Sequence, residues 1–142
     1  MICLGGQMSL FKWEDKYSVG VKKFDDDHRK LIDYLNQAFD LMTQKRPKEE
    51  IKSVLSNLSS YTVVHFSNEE NIFKQYSYPD YKSHKEEHDQ FIAKIEDFYK
   101  GYNSGKLMLT MEVMNFLKKW LVSHISKTDQ KYGPFLNKHG VF

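Results

Sequence analysis

Hydrophobic residues recur every three or four positions through most of the chain, which is the period of an amphipathic α-helix. The first such stripe spans 21–43. Its apolar residues include Phe24, Leu31, Leu35, Ala38, Phe39 and Met42. The second stripe begins at Pro47, a residue suited to the first helical position, and continues to the break at Tyr78-Pro79. These stripes predict helices over 21–43 and from Pro47 to just before Tyr78.

A third stripe follows the Tyr78-Pro79 break. Either Asp80 or Ser83 can cap its N-terminus, since Ser83 and Glu86 have the spacing of a capping box. Its apolar residues are Phe91, Ile92, Ile95, Phe98 and Tyr102. The segment from Gly101 to Gly105 predicts where this helix ends.

The fourth stripe opens at Thr110, and the Gly133-Pro134 pair predicts its end. Its apolar residues are Val113, Met114, Leu117, Leu121 and Ile125. Four helices with short connections favour an all-α fold, an antiparallel up-down-up-down four-helix bundle, because a short loop makes its two helices run in opposite directions. The segment 11–20 is aromatic but not periodic, and we expect an ordered N-terminal arm packed against the bundle end.

Length and composition support a single domain over residues 1–142, with residues 1–10 flexible. Hydrophobic residues make up 40% of the chain, which is enough to fill a core. The net charge of +2, with both signs mixed along the chain, does not favour nucleic acid as a partner. The single cysteine, Cys3, excludes an intramolecular disulfide, and no segment approaches the roughly 18 apolar residues of a membrane span. We therefore expect a cytoplasmic protein.

Five of the six histidines lie on or beside the apolar stripes, and together they occupy all four predicted helices. They are His28, His65, His84, His88 and His124. An isolated buried histidine is usually a core residue satisfied by a hydrogen bond. Five in one core would need five separate sets of partners, and each unsatisfied polar group costs about 1 to 3 kcal/mol. We therefore predict that these histidines bind metal, whereas His139 lies beyond Gly133-Pro134 and is assigned to the surface.

Two carboxylates stand near these histidines in sequence. Glu69 follows His65 by four residues and so shares its helical face. Asp129 follows His124 by five residues, about 140° further round an ideal helix, and would need a local helix distortion to join the site. Without that distortion, Asp129 is a solvated acid near a helix end.

The predicted set of metal-binding residues is too large for a single tetrahedral zinc ion. Seven ligands exceed the four of a tetrahedral zinc, and the HExxH pattern of zinc proteases is absent from the sequence. Two metals are therefore predicted. Nitrogen and oxygen donors without thiolate favour octahedral iron or manganese, and the predominance of imidazole favours iron.

The joint spacing of these residues resembles the hemerythrin family, in particular its single-domain bacterial form, bacteriohemerythrin. The likeness extends from Trp13 to about Tyr132. Its motifs are Trp13 with Ser18-Val19-Gly20, Asp25 with His28, His65-Phe66 before Glu69-Glu70, Tyr78-Pro79, His84 with His88, and Trp120-Leu121 before His124-Ile125 and Asp129. Each motif is weak alone, but their combined spacing is highly specific.

The resemblance implies two non-haem irons joined by two carboxylates and an oxo or hydroxo bridge. One iron would be held by His84, His88 and His124, and the other by His28 and His65. Glu69 and Asp129 would bridge the two irons. This arrangement leaves one open octahedral position, which falls on the iron with two histidines.

The function implied by the resemblance is reversible binding of dioxygen, with the irons changing between Fe2+ and Fe3+. Such a protein serves oxygen carriage, storage or delivery and is not an enzyme, and an oxygen-consuming enzyme is a candidate partner. Apolar side chains would keep the site dry and slow irreversible oxidation. The candidates for this lining are Phe66, Phe73, Leu121 and Ile125.

Two residues depart from the pattern of bacterial relatives. Asp27 stands before the first ligand, where glutamine is common, and we expect it to face solvent because it lies one position off the ligand face. Phe73 stands where methionine is common. Phenylalanine is bulkier and stiffer than methionine, so we expect altered access to the oxygen pocket.

Other functions could use the same ligands. A diiron oxidoreductase is disfavoured, because ferritin-like enzymes use several glutamates with Glu-x-x-His motifs, whereas here five histidines, one glutamate and one aspartate are predicted. An oxygen or redox sensor could relay a signal through the N-terminal arm or the tail 137–142, but the sequence contains no recognisable output domain. An iron-handling protein would release its iron readily. Oligomeric state is left open.

Overall fold

Four long helices make up most of the structure, a computed structural model that describes residues 10–142. They are α1 (Lys22–Thr43), α2 (Lys48–Gln75), α3 (Tyr81–Asn103) and α4 (Met111–Ser123). The first three coincide within a few residues with predicted stripes, α4 covers the first part of the fourth stripe, and the described residues contain no strand. Cys3 and most of the segment expected to be flexible, residues 1–9, lie outside the described residues.

The connections between these helices are short and force neighbouring helices to run in opposite directions. Residues 44–47 join α1 to α2, residues 76–80 join α2 to α3, and residues 104–110 join α3 to α4. Helix α1 packs against both α2 and α4, and α2 also packs against α3. The predicted antiparallel up-down-up-down bundle is therefore confirmed.

The helix starts show which capping predictions hold. Thr110 lies at the predicted start of the fourth helix and caps α4, because its side chain accepts a hydrogen bond from the backbone N–H three residues later, at 3.3 Å. The capping box of Ser83 and Glu86 is wrong. Helix α3 already begins at Tyr81, so Ser83 lies inside the first turn and donates to the carbonyl of Asp80 instead, at 3.1 Å.

The end predicted at Gly133-Pro134 is also wrong, because helical structure continues through it. Helix α4 is followed by a π-helical turn (His124–Thr128), a 3-10 turn (Asp129–Lys131) and helix α5 (Tyr132–Lys138). Pro134 lies in the first turn of α5, where proline is tolerated because the backbone N–H groups have no intrahelical acceptor. Gly133 serves close packing, since a Cβ atom there would lie 2.2 Å from the carbonyl oxygen of Val19.

The N-terminal arm is ordered over the described residues 10–21. The backbone N–H and C=O of Phe11 both bond the side-chain amide of Asn36 on α1, at 2.9 and 2.7 Å. The carboxylate of Asp25 accepts a hydrogen bond from the backbone N–H of Val19 at 2.8 Å. Phe11 and Tyr17 are buried in the main core, so the arm is part of the packed structure.

Two hydrophobic clusters form the core. The larger lies among α1 to α4, and the smaller joins the arm and α5 to the adjoining parts of α1 and α2. The predicted histidines contact both: Phe66 of the larger cluster stacks on His88 at 3.7 Å between ring centroids, and Phe73 of the smaller cluster contacts His84 at 4.8 Å. Within the described residues, none of the helices combines the length and the apolar character needed to cross a membrane.

Candidate metal centre

The seven predicted ligands are buried together between these clusters, each with no more than 2% of its surface exposed. Their nitrogen and oxygen atoms form two groups, and within each group all atoms lie within 4.8 Å of one another. One group contains Glu69, His84, His88, His124 and Asp129, and the other contains His28, His65 and Glu69. All four long helices, or the turns that follow them, therefore contribute donors to one place.

Glu69 belongs to both groups because its two oxygens point in different directions. Its Oε2 lies 3.4 Å from Nε2 of His65 and 3.6 Å from Nε2 of His28. Its Oε1 lies 3.2 Å from Nε2 of His88. One carboxylate thus presents one oxygen to each set of histidines.

The two carboxylate oxygens of Asp129 also lie beside different groups of histidines. Its Oδ2 lies 3.1 Å from Nε2 of His28, and its Oδ1 lies 3.0 Å from Nε2 of both His84 and His124. Two carboxylates therefore face both groups, which is the geometry of a pair of bridging ligands.

The π-helical turn explains how Asp129 reaches the site. The backbone N–H of Asp129 donates to the carbonyl of His124, five residues earlier. One turn therefore contains five residues, and the side chains of His124 and Asp129 both face inward. Gln130 supports this turn, because its side-chain N–H2 donates at 3.2 Å to the carbonyls of Ile125 and, in the arm, of Ser18. The helix distortion that the sequence required for Asp129 is present.

Three of the histidines are held from behind by carboxylates. In each case Nδ1 faces an acidic oxygen: His65 faces Asp27 at 2.8 Å, His88 faces Glu70 at 2.7 Å, and His124 faces Glu87 at 3.0 Å. An ionised carboxylate only accepts, so each Nδ1 carries a proton, and Nε2 is the nitrogen left to bind a metal ion once the ring is neutral. The Nε2 atoms of His88 and His124 are 3.2 Å apart, a distance that either a shared proton or a metal ion bound to both can bridge.

Asp27 contradicts the expectation that it faces solvent. It is 2% exposed and accepts hydrogen bonds from His65, from the hydroxyl of Tyr61 at 2.9 Å and from the ammonium of Lys23 at 2.8 Å. Burial alone would raise the pKa of Asp27, but these bonds outweigh it and lower the pKa to about 2. The physical reason for the error is that α2 packs over this position of α1, and no helical periodicity within α1 reveals that partner.

Several buried nitrogen and oxygen atoms of the predicted metal ligands have no hydrogen-bond partner among the described residues. They are both ring nitrogens of His28, Nε2 of His65 and of His84, Oε1 of Glu69 and both carboxylate oxygens of Asp129. Leaving a buried polar group unsatisfied costs about 1 to 3 kcal/mol, and a charged group costs more. Imidazole and carboxylate suit iron, so the residues present fit a pair of iron ions that would satisfy the inward-facing atoms together.

The electrostatics of the metal-free protein agree with a site built for cations. Burial favours the neutral form of His28 and of His124, but the carboxylates beside them, above all Asp129, raise their pKa values to about 9 and about 10. Conversely, burial alone would raise the pKa of Glu69 and of Asp129, yet the surrounding histidines hold both pKa values well below the usual range. Protons therefore compete with metal for the same atoms.

A family model, the hemerythrin HHE cation binding domain, matches residues 19–136. The chain belongs to the hemerythrin family. Bacteriohemerythrin of Methylococcus capsulatus is 32% identical over 131 residues, which cover 92% of this chain and 99% of that protein. Bacteriohemerythrin of Clostridium acetobutylicum is 31% identical over 127 residues, covering 87% of this chain and 98% of the relative. A crystal structure of wild-type hemerythrin is similar with a TM-score of 0.84 and 32% identity, covering 88% of this chain and 96% of that one.

The residues expected to line a hemerythrin pocket are all buried. Phe66, Phe73, Leu121 and Ile125 are each no more than 5% exposed. Phe73 lies 4.8 Å from the ring of His84 and 5.1 Å from the ring of Tyr132. Its effect on access to the oxygen pocket stays a prediction.

Four polar residues beside the ligands were not predicted as part of this hemerythrin site. Asp27, Glu70 and Glu87 orient histidines, and Tyr132 is fully buried and donates its hydroxyl to Oε2 of Glu69. Glu70 and Glu87 are adjacent in sequence to ligand positions, which is a usable signal, because an outer partner must sit beside the helix face that carries the ligand. Tyr132 follows a π-helical and a 3-10 turn, so the regular helical period does not reveal which way its side chain faces. His139 is exposed, as predicted.

Proposed function

We propose that this hemerythrin-family protein binds dioxygen reversibly at a pair of non-haem irons. This proposal rests on the carboxylates of Glu69 and Asp129. Each directs one oxygen to one group of histidines and its other oxygen to the second group. A pair of irons bound there supplies two electrons for reversible binding of dioxygen as it changes between the ferrous and ferric states. An oxo or hydroxo bridge between the irons belongs to the same proposal.

The two groups of donors support unequal coordination of the two irons. His84, His88 and His124 would hold one iron, His28 and His65 would hold the other, and Glu69 and Asp129 would bridge them. The group with His28 and His65 has one histidine fewer, so it would provide the open octahedral position.

The surrounding residues shield the metal site from water and hold its ligands in place. Phe66 stacks on His88, and Trp120 stacks on His124 at 4.5 Å between centroids, so apolar rings cover the ligand histidines. Exclusion of water and protons slows the irreversible oxidation that would end oxygen binding. The hydroxyl of Tyr132 holds Oε2 of Glu69 on the side of His28 and His65.

The same features support a carrier or store of oxygen in preference to an enzyme. The relatives named bacteriohemerythrin share the chain's full domain at about 30% identity. We infer that an oxygen-consuming enzyme receives the oxygen and that the protein works in the cytoplasm; both inferences rest on the sequence and stay predictions.

The test is the visible absorption spectrum of reduced, iron-loaded protein cycled between argon and air, with iron per chain measured on the same sample. We expect colour that appears with air and disappears under argon over several cycles, at two irons per chain. Colour that appears once and persists under argon would contradict reversible binding and would favour a redox enzyme or an iron-handling protein.

A further inference from the structure

Asp27 is a buried carboxylate that connects two ligand-bearing helices. It lies on α1, directly before His28, and its Oδ2 accepts the Nδ1 proton of His65 on α2 at 2.8 Å. Its Oδ1 accepts hydrogen bonds from Tyr61 at 2.9 Å and from Lys23 at 2.8 Å. Both oxygens are therefore occupied by donors, and the carboxylate is fixed behind the His65 ring.

Asp27 differs from the other two carboxylates that hold histidines from behind. The side chain of Asp27 is 3% exposed, whereas those of Glu70 and Glu87 are 14% and 43% exposed. A charge acts more strongly across a dry contact than across water, so Asp27 has the largest effect per charge on its histidine. It also serves the smaller donor group, in which Nδ1 of His28 has no hydrogen-bond partner among residues 10–142.

We propose that Asp27 is a positioning residue for the metal ion held by His28 and His65, which fixes the His65 ring and strengthens retention of the ion at that position. This inference rests on the proposed function only in naming iron as the ion. Asp27 acts through His65 and does not itself face the cluster of inward donor atoms.

Two physical effects produce this role. The carboxylate holds a proton on Nδ1 of His65, which leaves Nε2 as the nitrogen available to a metal ion and keeps it directed toward Glu69, 3.4 Å away. Its negative charge also makes the imidazole a stronger donor to a cation. Loss of such an outer partner typically weakens metal binding by about 10- to 100-fold.

The experiment compares Asp27→Asn with Asp26→Asn. The asparagine keeps the size of the side chain and removes its charge. Asp26 is the matched control, since its side chain is 48% exposed and pairs only with Lys22 at 2.6 Å and Arg29 at 3.5 Å among the described residues. Iron-loaded, reduced protein is mixed without air with an excess of a ferrous chelator, and the iron released per chain is followed over time.

We expect Asp27→Asn to release one iron per chain about 10- to 100-fold faster than the wild type, and Asp26→Asn to release iron at the wild-type rate. Equal release from the two variants would overturn the proposal. Release of both irons with equally increased rates would also overturn it, because a general loosening of the fold affects both positions.

A second measurement does not depend on iron. In the zinc-loaded, diamagnetic proteins, long-range proton–nitrogen NMR assigns the protonated nitrogen of each histidine. We expect the Nδ1–H signal of His65 to shift and exchange faster with solvent in Asp27→Asn, while the signals of His88 and His124 stay unchanged. An unchanged His65 signal, or equal changes in all three, would overturn the positioning role. Failure of the wild type to bind oxygen reversibly would refute the proposed function alone and leave this result standing.

Discussion

At the scale of single residues, the buried carboxylates carry the organisation of the site. Glu69 and Asp129 each face both groups of histidines, so each would contribute to both metal positions of the proposed site. The histidines face one group each. Loss of a bridging carboxylate therefore has a different expected consequence from loss of one histidine, since it removes a donor from both ions and leaves their positive charges less compensated.

Replacing Glu69 with alanine tests this directly. We expect Glu69→Ala to lose the paired-iron site, with iron per chain falling below two and the colour change with air abolished. The measurement is iron analysis together with the visible spectrum. Glu49→Ala on the same helix is the control, because that side chain is 83% exposed. Two irons per chain with an unchanged spectrum in Glu69→Ala would refute the ligand assignment.

Phe73 permits a second test at this scale. It is fully buried and its ring packs against His84 and Tyr132. Methionine is slimmer and more flexible, so we expect Phe73→Met to speed ligand entry and autoxidation. Stopped-flow mixing with oxygen and the slow loss of the oxygenated spectrum measure the two rates. If both rates equal those of the wild type, Phe73 does not control access.

At the scale of secondary structure, the π-helical turn His124–Thr128 brings Asp129 to the other predicted ligands. A regular helix would carry Asp129 about 140° away from His124, whereas the wider turn brings both into one group. A π-helical turn leaves carbonyls that need other donors. The side-chain amide of Gln130 donates a hydrogen bond to the carbonyl of Ile125. It also donates to the carbonyl of Ser18, which connects the turn to the N-terminal arm.

The contribution of the Gln130 side chain to the π-helical turn can be measured as a change in the free energy of unfolding. We expect Gln130→Ala to lower the free energy of unfolding by about 1 to 3 kcal/mol, because it leaves half-buried carbonyls without their donor. Urea unfolding of the metal-free protein measures the change. The control is Gln90→Ala, at an exposed position of α3, where the expected change is within about 0.5 kcal/mol. Equal stabilities of the two variants would show that the amide contributes nothing to the turn.

At the scale of the whole molecule, the metal-free protein buries His28 and His124 beside two carboxylates and so gains stability from protonating these two histidines. The pKa of His28 rises from 6.5 to about 9, and that of His124 from 6.5 to about 10. A group whose pKa is raised by folding stabilises the folded state fully below its unfolded pKa and loses this contribution as the pH passes its folded pKa. Bound metal replaces those protons.

This difference predicts opposite pH effects with and without metal. We expect the melting temperature of the metal-free protein to fall as the pH rises from about 6.5 to about 10, while the stabilisation produced by iron increases over the same interval. Thermal melts of both forms across this range measure the effect. A melting temperature of the metal-free protein that stays constant or rises with pH would contradict the predicted contribution of His28 and His124.

Much of the fold could be predicted because it depends on local periodicity. The stripes at 21–43 and from Pro47 are continuous, and both helices lie within a residue or two of the predicted bounds. The helix end predicted at Gly133-Pro134 is wrong, because a Gly-Pro pair usually ends a helix but here lies inside α5, where packing requires the glycine. Gly133 is needed for contact with Val19, more than 100 positions away in the chain, and such a contact leaves no local signal.

The sequence by itself determined the four amphipathic helices and the placement of five histidines and Glu69 on their inward faces, because both follow from the period of the helix. Only the tertiary structure decided that Asp129 enters the site through a π-helical turn and that Asp27 is buried behind His65. The physical reason is that a backbone distortion and a contact between helices depend on partners distant in sequence. Neither leaves a periodic pattern that a single chain segment could reveal.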